Sequence, residues 1–183
     1  MKSIRIYLSG SIRKGADDPR DESHYWSASH EDEICRRLAG MPVRLLNPAK
    51  TKISRNDYYA NFGCDLYLVS ISQVVLVDLR EEKGIGVGAE LMFARQHGIP
   101  CIGWAPRNSH YRRDHVADVF GENLHDWIHP FAHGLTDALA ETLGEAVDLV
   151  MQRLDRTRSP LSVTPRCAIE HFRRLYPYVA FND

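Results

Sequence analysis

The chain has 183 residues, 44% of them apolar, enough for one sizeable core, so a single domain is the expectation. Its 23 Lys and Arg against 24 Asp and Glu leave a net charge of −1, which excludes the electrostatic footprint of a protein that grips a nucleic-acid polymer or an anionic membrane. Four cysteines, Cys35, Cys64, Cys101 and Cys167, lie far apart with no CxxC pair, the usage of a reduced cytoplasmic protein and not of a disulfide or zinc framework.

SIRIYLSGS predicts a first strand, with Ile4, Ile6 and Leu8 on one face. It is too short and polar for a secretion signal, and no later run approaches a membrane span. Ser29 with Asp32 resembles a capping box that opens the helix EDEICRRLA, closed by Gly40. VRLLN predicts a second strand, ended by Pro48, and the segment around NFGCDLYLVSIS has helical spacing. VVLVDL is a near-continuous apolar run, as a strand covered on both faces requires. AELMFARQHG predicts a helix stopped by Gly98, and IPCIGWAP the next buried strand. This βαβαβαβ alternation predicts a doubly wound parallel sheet.

Beyond Pro106 the chain is polar and rich in His and Arg as far as GLTDALAETLGEAVDLVMQRL. There Leu135, Leu139, Leu143, Val147, Val150 and Leu154 predict one helical stripe. DRTRSPLSVTP reads as a linker and RCAIEHFRRLYPYVAFND as a short helix with an aromatic tail. The division expected is residues 1–155 as the functional domain and 156–183 as linker and helical tail.

Between the third strand and its helix stands REEKGIGVGAEL. The GxGxxA pattern of Gly84 to Ala89 matches a dinucleotide fingerprint, but it follows the third strand instead of the first, and no carboxylate ends the next strand. No Gly-Lys-Ser/Thr follows, so a P-loop is excluded. The other use of these glycines is to let a substrate approach the backbone while Glu90, in the first helical turn and held ionised by the helix N-terminus, points at it. Asp65 lies near the start of the preceding helix, at the same carboxyl edge of the sheet. One ionised carboxylate and one protonated carboxyl ~5 Å apart form the kit for cleaving a glycosidic bond through a covalent intermediate, without metal or cofactor.

GSIRKG, a following Tyr, Asp65, VVxVD and GVGAELMFARQHGIPCIGW together resemble the nucleoside 2-deoxyribosyltransferase superfamily, which includes the 2′-deoxynucleoside 5′-phosphate N-hydrolases. The resemblance spans about residues 4–105. It implies a flavodoxin-like fold and a cytoplasmic homo-oligomer, a dimer or higher, whose ligand is a small nucleoside or nucleotide. It also implies that Glu90 attacks C1′ of a deoxyribose, that Asp65 protonates the departing base, and that the sugar passes to another base or to water. Tyr25, or Trp26 in its place, would orient the nucleophile. Gly10, Ser11, Ile12, Arg13, Gly86 and Gly88 would line the substrate, Asp78 would touch base or sugar, and Asn123 would reach in from a neighbouring subunit. Six residues before the nucleophile, where transferases carry Asp and N-hydrolases Ser, this chain has Gly84. Sugar and sugar-phosphate recognition therefore both stay open, with Lys83 and Arg13 as phosphate ligands in the second case.

Two other readings compete. His125, His129 and His133 at i, i+4 and i+8 would form a zinc stripe on a continuous helix, which Pro130 interrupts. A nucleotide sensor without turnover is the other, since the fold alone does not decide between binding and catalysis.

Overall fold

The computed structural model describes residues 3–54, 56–119, 121–155 and 165–176. Strands β1 (Ile4–Ser9), β2 (Val43–Leu46), β3 (Val74–Asp78), β4 (Cys101–Trp104) and β7 (Ala138–Ala140) form a parallel sheet in the order β2-β1-β3-β4-β7. This is the flavodoxin-like order, in which the strand order reverses between β1 and β3 and opens a crevice at their carboxyl ends. A separate antiparallel hairpin, β5 (Arg112–Val119) with β6 (Glu122–Ile128), stands apart from the sheet.

The strands are covered on both faces, which is why they read as apolar runs. On one face Ile6, Leu8, Val74 and Leu76 pack with Ile34 and Leu38 of helix α1 (Ala28–Arg37) and with Val147 and Val150 of α5 (Leu143–Asp155). On the other, Tyr7, Val75 and Val77 pack with Val69 of α2 (Tyr58–Ser70) and with Leu91 and Ala94 of α3 (Ile85–Gln96). Helix α4 (Pro130–Leu135) adds Ala132 and Leu135 to this second layer, and α6 (Pro165–Leu175) follows.

Several boundaries differ from the sequence expectation. The capping box of α1 is built on Ser27: its hydroxyl accepts from the His30 amide at 3.3 Å while His30 Nδ1 accepts from the Ser27 amide at 3.2 Å. Ser29 only shares a hydroxyl contact with Ser27. The long stripe from Leu135 to Leu154 is broken, because Leu139 belongs to β7, whose pairing with β4 supplies ladder hydrogen bonds that a helix would forfeit. The linker proposed at 155–165 lies almost wholly outside the described residues. Helix α3 begins earlier than expected, with Gly84 at its N-cap, where no side chain bonds the first turn, and Gly86 and Gly88 inside it. No helix among the described residues is long and apolar enough to cross a membrane.

Candidate active site

Strand parity builds the floor of the site. Ile6 and Leu8 face the α1/α5 layer, so Tyr7 and Ser9, alternating with them, face α3. Ser9 Oγ donates to Glu90 Oε2 at 2.6 Å, and the Tyr7 ring is fully buried with its hydroxyl turned to the same carboxylate. The geometry at Tyr7 falls short of a full hydrogen bond. Burial, with Glu90 and Asp65 nearby, raises the Tyr7 hydroxyl far above its ordinary range, so it stays protonated and able to donate.

Glu90 is the sixth residue of α3 and only 7% exposed. Its position corrects the expectation of a first-turn carboxylate held ionised by the helix dipole. Burial dominates and lifts its pKa to about 7; the Ser9 hydrogen bond and the Tyr7 hydroxyl oppose the rise, and the charge of Asp65 adds to it. Asp65 is the eighth residue of α2, deeper in the helix than expected, yet it reaches the same cavity.

That cavity has a volume of about 460 Å³. Residues 10–14 and Arg20 form one wall, Asn61 and Asp65 of α2 a second, and Gly84, Gly86, Val87 and Glu90 a third. A Cβ on Gly86 would lie 4.0 Å from Glu90 Oε1 and meet nothing else within 4 Å. Gly86 and Glu90 are an i, i+4 pair on one helix face, so the bare glycine leaves the carboxylate open from above. Arg20 pairs with Asp18 through Nε at 2.9 Å and its terminal nitrogen at 2.7 Å, and also donates to the Ile12 carbonyl at 3.2 Å. These bonds hold Asp18 well below the usual carboxylate range and fix the loop that carries Arg13 and Lys14. Arg13, by contrast, has an exposed side chain whose hydrogen bond, to the Ala16 carbonyl, is 3.5 Å long.

Glu90, Asp65, Gly10, Ser11, Ile12, Arg13 and Gly86 thus meet at one cavity. Other expected residues do not. Tyr25 stands under the Arg20 guanidinium, 5.1 Å from ring centroid to Cζ, and lines a neighbouring cavity; the hydroxyl that faces Glu90 is that of Tyr7. Trp26 is also turned away from Glu90, its indole donating to the Ser9 carbonyl at 2.9 Å. Asp78 shares the parity of Leu76, so its side chain leaves the sheet on the opposite face; it is fully buried and paired with Arg80 and Lys83. Lys83 is spent on Asp78 and the His24 carbonyl, which removes it as a phosphate ligand of the cavity. Gly88 lies on the other flank of α3, in an apolar cavity of about 550 Å³ shared with Tyr111 and Phe131. Asn123 sits on the hairpin and accepts from the Asp118 amide at 3.2 Å. The histidine stripe is not formed: His125 is on β6, His129 caps α4 and His133 is within α4. No group of three or more metal-ligating side chains gathers among the described residues.

Sequence reasoning missed Tyr7, Ser9, Lys14, Arg20 and Asn61. The signal for the first two was present in IRIYLSG, because a period of two puts Tyr7 and Ser9 on one face, the face opposite the aliphatic residues.

No protein-family model matches the chain, and no curated protein matches it. Among solved structures, a protein of Salmonella typhimurium LT2 provisionally named as sugar binding is similar over 97% of this chain, at 16% identity and a TM-score of 0.42. The chain spans 46% of that protein's length.

Proposed function

We propose that this protein cleaves the N-glycosidic bond of 2′-deoxynucleosides and transfers the deoxyribosyl group to another nucleobase, as the nucleoside 2-deoxyribosyltransferase superfamily does. The observation that carries the reading is the convergence of Glu90 and Asp65 on one cavity at the carboxyl edge of the sheet, with Gly86 leaving the Glu90 carboxylate open.

In this reading Glu90 in its ionised form attacks C1′. The carbon–nitrogen bond breaks, its electron pair leaves with the base, and Asp65 delivers the proton that the base takes up. Mutual repulsion of two carboxyls at one site favours the state with a single proton between them; burial holds it on Glu90 at rest, and passing it to Asp65 supplies one nucleophile and one acid. Ser9 holds the Glu90 carboxylate in place. An acceptor base then attacks the glycosyl ester at C1′, its N–H proton passes to Asp65, and the C1′–oxygen bond breaks to free Glu90. As a homo-oligomer the protein would gain residues from a neighbouring copy for the open side of the cavity.

A second reading, hydrolysis of deoxynucleoside 5′-monophosphates, draws support from Arg13 and Lys14 in the cavity wall, which suit an anionic group. A chromatographic assay separates the two. Deoxyinosine with free adenine is expected to yield deoxyadenosine, and Glu90→Ala to abolish it. Release of free base from monophosphates alone, with no exchange, would replace transfer by hydrolysis. Neither product over a wide panel would leave the protein as a binder.

A further inference from the structure

Asp78 is fully buried at the end of β3, on the sheet face away from the cavity, and it is the centre of a polar cluster that the chemistry above does not use. Its Oδ1 accepts from Arg80 Nε at 2.9 Å, and its Oδ2 from Lys83 Nζ at 3.1 Å. Both cations are committed further. Arg80 donates to the Tyr25 carbonyl at 3.0 Å and stacks on Trp104 with 4.1 Å between Cζ and ring centroid. Lys83, its side chain 1% exposed, donates to the His24 carbonyl at 3.2 Å.

These bonds reach both walls of the cavity. The backbone at Tyr25 bridges to Ser11, and the Trp26 indole donates to the Ser9 carbonyl, so pinning residues 24–26 fixes the loop that carries Arg13 and Lys14. Lys83 immediately precedes Gly84, the N-cap of the helix that carries Glu90. One carboxylate is therefore tied to the basic wall and to the nucleophile wall, although it touches neither the cavity nor Glu90.

We propose that Asp78 is a positioning residue that sets the spacing between the residue 10–14 wall and the start of α3, acting through Arg80 and Lys83. The inference rests on the reading of this cavity as the deoxynucleoside site. A buried, multiply bonded ion cluster fits such a duty, because each partner left without Asp78 would be a desolvated cation with an unmet bond.

The test compares Asp78→Asn and Arg80→Met with wild type, Arg80→Met being the milder change because it leaves the Asp78–Lys83 pair whole. Steady-state kinetics on the accepted deoxynucleoside are expected to show KM raised about tenfold with kcat within about threefold. A merely structural role would lower the active fraction, and so the apparent kcat, at unchanged KM. That result would overturn the proposal. Hydrogen exchange read by mass spectrometry is the second arm and needs no turnover. Faster exchange is expected at residues 10–14 and 84–88 in Arg80→Met, with β3 and β4 unchanged. If wild type turns over no deoxynucleoside, the functional reading fails while the exchange arm still decides the clamp. Unchanged exchange at both walls would sink it.

Discussion

At the scale of single residues, the proposed chemistry turns on a carboxylate that burial pushes up to about 7. The proposed reaction needs one proton in the Glu90–Asp65 pair, so kcat/KM is expected to fall with rising pH along an alkaline limb with its midpoint near 7, where Glu90 gives up that proton. Ser9→Ala removes a hydrogen bond that stabilises the charged form. It is expected to move that limb upward by about one pH unit, raising kcat/KM roughly tenfold at pH 9 and little at pH 6. A limb that stays in place in Ser9→Ala would show that another group controls the rate. The same burial costs stability. The folded-state pKa of Glu90 lies above its unfolded value of 4.5, so the folded state binds more protons between 4.5 and about 7 and loses stability as pH rises through that window. Glu90→Gln is therefore expected to abolish turnover by a thousandfold or more, on the order seen for nucleophile deletions. It should also be more stable than wild type at pH 8, by about 3 kcal/mol at most, with the gain vanishing below pH 4. Denaturant titrations at the two pH values check the sign.

At the scale of elements, the first turns of α3 place two glycines where a good helix former would cost nothing in packing. Gly86→Ala is expected to raise stability by roughly 0.5–1 kcal/mol, the usual penalty of glycine within a helix, while raising KM by filling the space above Glu90. A stabilised variant with unchanged KM would show that nothing approaches that face. What the sequence made legible follows from the same element physics. The parallel strands declared themselves by their apolar runs, and Glu90 and Asp65 by the glycines and helices around them. The hairpin β5–β6 was illegible because RRDHVADV carries too few alternating apolar residues to betray a strand. The strand β7, three residues long, vanished into the i, i+4 spacing of Leu135, Leu139 and Leu143, which a helix would share. Asp78 was misplaced for want of parity: counting alternate positions forward from Val74 and Leu76 puts it on the far face of the sheet. Tyr7 was overlooked because a tyrosine in an apolar strand reads as core until the partner of its hydroxyl is known.

At the scale of the whole molecule, the end of the sheet opposite the site is built for cohesion. Asp137, just before β7, forms an ion pair with Arg95 of α3 at 2.7 Å and accepts from Arg153 of α5 at 2.8 Å, joining the helical layers on the two faces of the sheet. Its Oδ2 also accepts from the Cys101 amide at 2.8 Å. Asp137→Asn leaves the buried Arg95 without its counter-charge and is expected to cost about 3 kcal/mol in a denaturant titration, with KM of the folded fraction unchanged. The carboxyl end, by contrast, carries the cavity and the buried carboxylate, whose charged form is a standing cost to the fold. Stability gathered at one end of a parallel sheet and chemistry at the other is the division that an open α/β sheet imposes, because only the carboxyl ends diverge into a crevice. The central claim is that Glu90 forms a covalent bond to the sugar. The measurement that tests it most directly is peptide-resolved mass spectrometry after reaction with a 2′-fluorinated deoxynucleoside analogue, in which the fluorine slows breakdown of a glycosyl ester. The account expects a fluorodeoxyribosyl adduct on the peptide that contains Glu90, absent in Glu90→Gln; an adduct on another residue, or turnover of the natural substrate that survives Glu90→Gln, would contradict it.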